Sequence, residues 1–309
     1  MIYTVTLNPA VDRELTVPAL EFDTVLRATH WQVDFGGKGF NVARTLKALG
    51  ADSTALAFAG GRAGALLQDG LHELGINTDL VWVAGETRTN VSIVAQAHDH
   101  YLKANEPGPA ISAAESAQLI AKIDRLAKVG DLWVLAGSLP PGVEPAIYAQ
   151  ITDTLHSRGA RVILDASGEA LQYGCLSKPF LVKPNAGEAR ALTGRPVDSR
   201  AELLLAAEAV RQMGPANIVV SMGKQGALLL QGQAAWFATS PQVKERNPIG
   251  AGDALVGGLV WGLHKDLDLR EALRWGVACG AAAASLSGTA VGNRELVEAL
   301  LPQVEVKPA

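Results

Sequence analysis

Residues 113–136 read AAESAQLIAKIDRLAKVGDLWVLA, and the change of period inside that stretch decides the fold class. Leu119, Ile123 and Leu126 recur at the spacing of one helix face. Beyond Val129-Gly130 the helical period is lost and a short apolar run, 131–136, takes its place. A helix-period segment alternating with a short apolar strand is the signature of a mainly parallel sheet covered on both faces. The alternation holds along the chain. Strands are expected at 2–7, 53–59, 131–136, 161–165, 180–182 and 217–221, and a helix over 40–49 carries Phe40, Ala43, Leu46 and Leu49 on one side. The expected class is α/β, with ligands gathered at the carboxyl ends of the strands.

Two stretches interrupt the rhythm. Residues 14–35 and 89–103 alternate with a period of two (Leu15, Val17; Val91, Ile93, Ala95) and have no helix between strands, which predicts a small separate antiparallel sheet. A turn is expected at His98-Asp99-His100. Such a sheet at the mouth of the main one can serve as a lid or as a dimerisation surface. With no repeat, low-complexity tract or Pro/Gly-rich linker, residues 1–309 are read as one domain carrying that insertion.

Composition narrows the function classes. Apolar residues make up 48% of the 309 and charged residues 19%, the usage of an ordinary globular protein. The net charge is −4 and no Lys/Arg block occurs, so neither nucleic acid nor an anionic membrane is an expected partner. Cys175 and Cys279 lie in apolar surroundings without metal-ligand spacing, which suits buried thiols in a reducing compartment. With no basic segment ahead of an apolar run at the N-terminus and no long apolar stretch, a cytoplasmic protein is expected.

The sharpest local signal is Asn247-Pro-Ile-Gly-Ala-Gly-Asp253, running into the apolar helix 254–263. Gly250, Ala251 and Gly252 would leave backbone N–H groups free at a helix N-terminus, where an anion is favoured. Asp253 is then either a base that takes a proton from a hydroxyl beside that anion, or simply the helix N-cap. Gly36-Gly-Lys-Gly39 with Asn41 also opens a helix, yet it fits neither the dinucleotide fingerprint nor a Walker A loop. It is either a loop that closes on a polyol, with Lys38 free for a phosphate, or a tight turn. Asn185 and Glu188 are three apart after the strand at 180–182, a spacing that suits Mg²⁺ or a capping box. Asp165 adds a carboxylate at the same sheet edge, and Ser221-Met-Gly223-Lys-Gln-Gly226 is a nucleotide-facing loop or a β-turn.

Taken together and in this order, Gly36-Gly-Lys-Gly39 with Asn41, Lys183-Pro-Asn185 and Gly250-Ala-Gly-Asp253 resemble the signatures of the PfkB, or ribokinase-like, carbohydrate kinases, across essentially the whole chain. Further segments (Thr4 to Asp12, Asn105 to Pro109, Gly137 to Gly142, Asp165 to Ala170) are similar to the members of the ketohexose-phosphate branch that act on fructose 1-phosphate, whereas Asp23 to Arg27 and Asn247-Pro-Ile-Gly250 are more similar to those acting on tagatose 6-phosphate, Asn247-Pro-Ile standing where the family commonly has Ser-Thr-Val. The resemblance implies a doubly wound core, a lid that often mediates dimers, and a ketohexose monophosphate as substrate, fructose 1-phosphate first, with tagatose 6-phosphate and fructose 6-phosphate as alternatives. It implies ATP and Mg²⁺, a catalytic Asp253, and an anion hole at Gly250, Ala251 and Gly252. Asp12, Gly37 and Asn41 are then expected on sugar hydroxyls and Arg27, Lys38, Arg88 and Lys103 on the sugar's phosphate. Lys183, Asn185, Ser221, Gly223 and Gly226 are expected on the nucleotide, with Asn185 and Glu188 on Mg²⁺. A non-catalytic sugar-phosphate sensor is the distant alternative, although a sensor has no need for a base.

Overall fold

The computed structural model describes residues 1–97 and 100–309, so His98 and Asp99 of the expected turn lie outside the described residues. The chain begins with β1 (Ile2–Thr6) and leaves the core for β2 (Ala10–Val17) and β3 (His30–Gly36). It returns through α1 (Lys38–Ala48), β4 (Thr54–Ala59) and α2 (Gly61–Glu73), followed by the short β5 (Asn77–Thr78) and β6 (Val81–Trp82). A second excursion forms β7 (Arg88–Ala95) and β8 (Tyr101–Ala104). The rhythm is then regular, through α3 (Ala113–Leu126), β9 (Leu132–Ala136), α4 (Ile147–Ser157), β10 (Arg161–Asp165), α5 (Gly168–Leu176) and β11 (Leu181–Val182). Next come α6 (Ala186–Thr193), α7 (Arg200–Gln212), β12 (Asn217–Ser221), β13 (Ala227–Gln231) and β14 (Ala234–Ala238). The chain ends with α8 (Ala251–His264), α9 (Leu269–Ala284), α10 (Arg294–Leu300) and β15 (Val306–Pro308).

The main sheet has the order β15-β14-β13-β12-β11-β10-β9-β1-β4-β5, with β6 paired to the end of β4. All pairs from β12 to β5 are parallel, and β13, β14 and β15 add an antiparallel edge. Every residue of β1 and β9 is buried, as strands covered on both faces must be. Tyr3 and Trp133, opposite each other in the register, stack at 4.2 Å. One face is packed by α3 and α4 through Leu119, Ile123, Ile151 and Leu155. The other is packed by α1, α8 and α9 through Val42, Leu46, Leu259 and Leu273. No helix among the described residues is long and apolar enough to cross a membrane.

The small sheet has the order β3-β2-β7-β8 and is not wholly antiparallel: its central pair, β2 and β7, is parallel. Both strands leave the core at the same edge, β2 just past the carboxyl end of β1 and β7 just past β6, so they run outward together. Their partners β3 and β8 return antiparallel.

Helices α1 and α8 lie side by side and run in the same direction, meeting at every fourth residue. The Asn41 amide donates to Asp253 at 2.8 Å, Thr45 faces Gly257, and the Trp261 indole N–H donates to the Leu49 carbonyl at 3.1 Å. Residues four apart share a helix face, so these three pairs form one seam. Gly257 sets its closeness, because a Cβ there would lie 2.5 Å from the Cβ of Thr45. Gly257→Ala should therefore cost about 1–3 kcal/mol in unfolding free energy, the usual toll of overpacking. Chemical denaturation measures it, and an unchanged midpoint would mean that the helices do not approach this closely.

Candidate active site

The parallel strands deliver their last residues to one edge of the sheet, and buried charge collects there. Asp165 ends β10 and is 1% exposed. Its carboxylate accepts from the Lys38 ammonium at 2.9 Å and forms an ion pair with Lys183 at 3.3 Å. The second contact is out of line for a hydrogen bond, so Asp165 Oδ2 keeps an open acceptor position. Lys38 stands at the start of α1, and Lys183 directly after β11.

Asp253, in the first turn of α8, is buried beside this group. The N-cap of α8 is Gly250, whose φ of 82° is a conformation glycine adopts freely, and no side chain caps the helix. The capping reading of Asp253 is thereby overturned. The first bond of the helical pattern is from the Ala254 N–H to the Gly250 carbonyl, so the N–H groups of Gly252 and Asp253 precede it and have no acceptor within the helix. Burial pushes the Asp253 carboxyl up to about 6, and the nearby Asp165 charge adds to the rise. The Asn41 hydrogen bond, Lys38 and Lys183 act against it. Burial works to lower the Lys38 ammonium, but Asp165, Asp253 and Glu188 outweigh it and hold Lys38 above its usual value.

Several of the residues expected on the sugar and its phosphate have partners within the chain. Asn41, expected on a sugar hydroxyl, gives its amide N–H to Asp253 and leaves its Oδ1 buried without a partner. Lys38 is engaged by Asp165 rather than free for a phosphate. Arg88 donates to the carbonyls of Asn8 (2.8 Å), Glu106 (3.2 Å) and Pro9 (3.3 Å), which makes it a brace at the base of the small sheet. Arg27 lies exposed in the connection from β2 to β3, and Lys103 lies exposed on β8, where its charge acts on Asp12. Gly37, with φ of 150°, caps α1 and packs on Thr6.

On the other side of the α8 N-terminus a cavity of about 220 Å³ is lined by Ser221, Gly223 and Gly226 and by Gly280, Ala281 and Ala284 of α9. The small α9 residues leave room for a flat group. Lys224 and Glu245 face each other at its rim, 3.7 Å apart. Lys183 and Asn185 are not among the residues lining this cavity: Lys183 turns to Asp165, and Asn185 pairs with Ser221 alongside it. Asn185 and Glu188 form the capping box of α6, each side chain accepting from the other's backbone N–H at 2.8 Å. Among the described residues no cluster of three or more His, Cys, Asp or Glu side chains could hold a metal ion.

Sequence reasoning placed Asp165 at the correct edge but gave it no role, and it missed Asn8 and Asn90. Asn8 donates to the carbonyls of Pro107 (3.0 Å) and Leu139 (3.4 Å), and Asn90 donates to Asp12 at 2.7 Å. The only signal for Asn90 was its place on a strand whose partner register the sequence does not give.

The sequence profile of the pfkB family carbohydrate kinases matches residues 5–296. The chain is 38% identical to a 1-phosphofructokinase of Bacillus subtilis over 306 residues, covering 99% of each. It superposes on phosphofructokinase-2 from Escherichia coli in complex with fructose-6-phosphate with a TM-score of 0.90 at 32% identity, covering 98% of each chain. An Arabidopsis thaliana ribokinase, at 20% identity and a TM-score of 0.79 over 97% of this chain and 98% of its own, shares the fold.

The charges around Asp253 give a titration with a definite sign. Its carboxyl carbon, followed by NMR, should titrate with a midpoint at about 6. Asn41→Ala removes a bond that favours the charged form, so the midpoint should rise, whereas Asp165→Asn removes a like charge and should lower it. Equal midpoints in all three proteins would show that these groups do not act on Asp253.

Proposed function

The chain belongs to the pfkB family of carbohydrate kinases, and we propose that it transfers the γ-phosphoryl group of ATP to fructose 1-phosphate, giving fructose 1,6-bisphosphate. The observation that carries this reading is the buried Asp253 carboxylate at the N-terminus of α8, with unengaged N–H groups beside it and a cavity lined by Ser221, Gly223 and Gly226 on its far side. Phosphoryl transfer needs little covalent help from a protein, so positioning and electrostatic stabilisation carry most of the catalysis.

In this reading the Gly252 and Asp253 N–H groups hold the charge of the phosphoryl group in transit, with Gly250 and Ala251 shaping the loop. Asp253 takes the proton of the sugar hydroxyl. A carboxylate tuned toward neutrality can accept a proton during reaction yet be largely ionised at pH 7. Asn41 holds one carboxylate oxygen, leaving the other for the hydroxyl. Ser221, Gly223 and Gly226 contact the nucleotide, with Lys183 and Asn185 at its phosphate end. Asp12 and Gly37 contact the sugar; Arg27 and Lys103 are the cations left for its phosphate, and Lys38 can join them on release from Asp165. Glu188 has a carboxylate oxygen outside the capping box, which fits a Mg²⁺ that keeps most of its waters and is held chiefly by substrate phosphates, where it would neutralise their charge.

The small sheet is the lid that closes over the sugar and excludes water. Its exposed Trp31 and Tyr101, with the exposed Phe22 in the connection from β2 to β3, support a homodimer formed through that sheet. Asn247-Pro-Ile ahead of the glycine loop favours tagatose 6-phosphate as a second reading, and fructose 6-phosphate is a third, from the ligand of the Escherichia coli structure.

ADP release measured with fructose 1-phosphate, fructose 6-phosphate, tagatose 6-phosphate and fructose decides among these. The highest kcat/KM is expected with fructose 1-phosphate. A higher value for another acceptor would reassign the substrate, and no sugar-dependent release with any of the four would remove the kinase reading.

A further inference from the structure

Asn90 sits on β7 directly opposite Asp12 of β2 and is 7% exposed. Its Nδ2 donates to Asp12 Oδ1 at 2.7 Å, while its own Oδ1 is buried with no partner. The other Asp12 oxygen lies against the backbone of Gly36, where a Cβ would come within 1.9 Å of Oδ2. Only a glycine leaves room for the carboxylate in that position. Asp12 is thus clamped between two strands of the small sheet, next to a buried carbonyl oxygen that lacks a donor.

An unpaired buried acceptor is costly unless something arrives to satisfy it. A polyol with two neighbouring hydroxyls supplies two donors, and the pair here offers two acceptors, one charged and one neutral. We propose that Asn90 is a sugar-binding and positioning residue: its Nδ2 fixes the Asp12 carboxylate for one hydroxyl, and its Oδ1 accepts from the adjacent one. The inference rests on the kinase reading above and deepens it, since it gives the acceptor site a preference for vicinal hydroxyls.

The electrostatic setting gives a readout that a purely structural residue would not move. Burial raises the Asp12 carboxyl above its usual range, and the Asn90 hydrogen bond is the largest influence opposing that rise. Lys103 on β8 and Arg88 on β7 also lower it, and Asp34 on β3 raises it. Asp34 is itself held by Arg44 at 2.9 Å and by the Phe35 N–H at 2.8 Å. With Asn90 replaced, Asp12 should keep its proton to higher pH, and binding that needs the carboxylate should begin at higher pH.

The test is calorimetric binding of fructose 1-phosphate, without nucleotide, to wild type, Asn90→Ala and Asn90→Asp across pH 5 to 8, alongside KM for ATP. Comparing proteins at each pH cancels the ionisation of the ligand's own phosphate. Asn90→Ala should weaken sugar-phosphate binding about 10- to 100-fold with little change in the KM for ATP. Both variants should show the acid limb of binding displaced upward, Asn90→Asp because a second carboxylate opposes ionisation of the first. Asn90→Asp is nearly isosteric and serves if Asn90→Ala does not fold. Unchanged affinity and an unmoved limb, with wild type binding the ligand, would overturn this inference alone. Failure of wild type to bind fructose 1-phosphate, and fructose 6-phosphate or tagatose 6-phosphate titrated into it in the same way, would remove the functional reading and this inference together.

Discussion

Two carboxylates buried at one edge of one sheet impose the constraint around which the rest of the site is arranged. Asp165 and Asp253 both lie where water is largely excluded, and the charge of Asp165 raises the cost of ionising Asp253. Isolated buried charges are not tolerated without partners. Lys38 and Lys183 compensate Asp165, the Asn41 amide serves Asp253, and the α8 N-terminus adds its partial positive charge. These groups come from α1, β10, the segment after β11 and α8, so the charge balance ties together elements far apart in the chain. Removing one lysine would leave Asp165 with a single partner.

The seam between α1 and α8 turns that balance into geometry. Two helices running the same way bring both N-termini to the same edge, and the pairs at 41 and 253, 45 and 257, 49 and 261 keep them in step. A glycine at 257 is needed for contact, not for backbone freedom, because the side chain of Thr45 fills the space a methyl would take. The catalytic reading of Asp253 depends on this packing: a wider seam would release Asn41, and with it one of the influences that keep the carboxyl near 6.

Much of the fold was legible because it is written in local periodicity. The strands at 161–165 and 217–221 stand as expected, and the other core strands differ by one residue at an end. Helix α8 begins at Ala251 rather than 254, since the segment that looks like loop supplies its N-cap, Gly250, and its first turn. The parallel pairing of β2 with β7 was hidden, because it joins segments almost eighty residues apart and follows from the edge at which each leaves the core. Motif spacing located the glycine loops but not the destination of long side chains. Lys38 and Arg88 looked alike as spare cations, yet one reaches Asp165 and the other closes the neck of the small sheet through three carbonyls. A capping box and a metal pair also share one spacing, and at Asn185 and Glu188 the capping geometry is present.

The central claim is that Asp253 is the base, and Asp253→Asn tests it most directly, through steady-state kinetics with ATP and fructose 1-phosphate and a melting temperature measured on the same sample. Asn is nearly isosteric and can still accept from Asn41, but it cannot take a proton from the hydroxyl. The account predicts a fall in kcat of about 10²–10⁴, with KM values within a few-fold of wild type and no large loss of melting temperature. Near-normal turnover in a folded variant would contradict it.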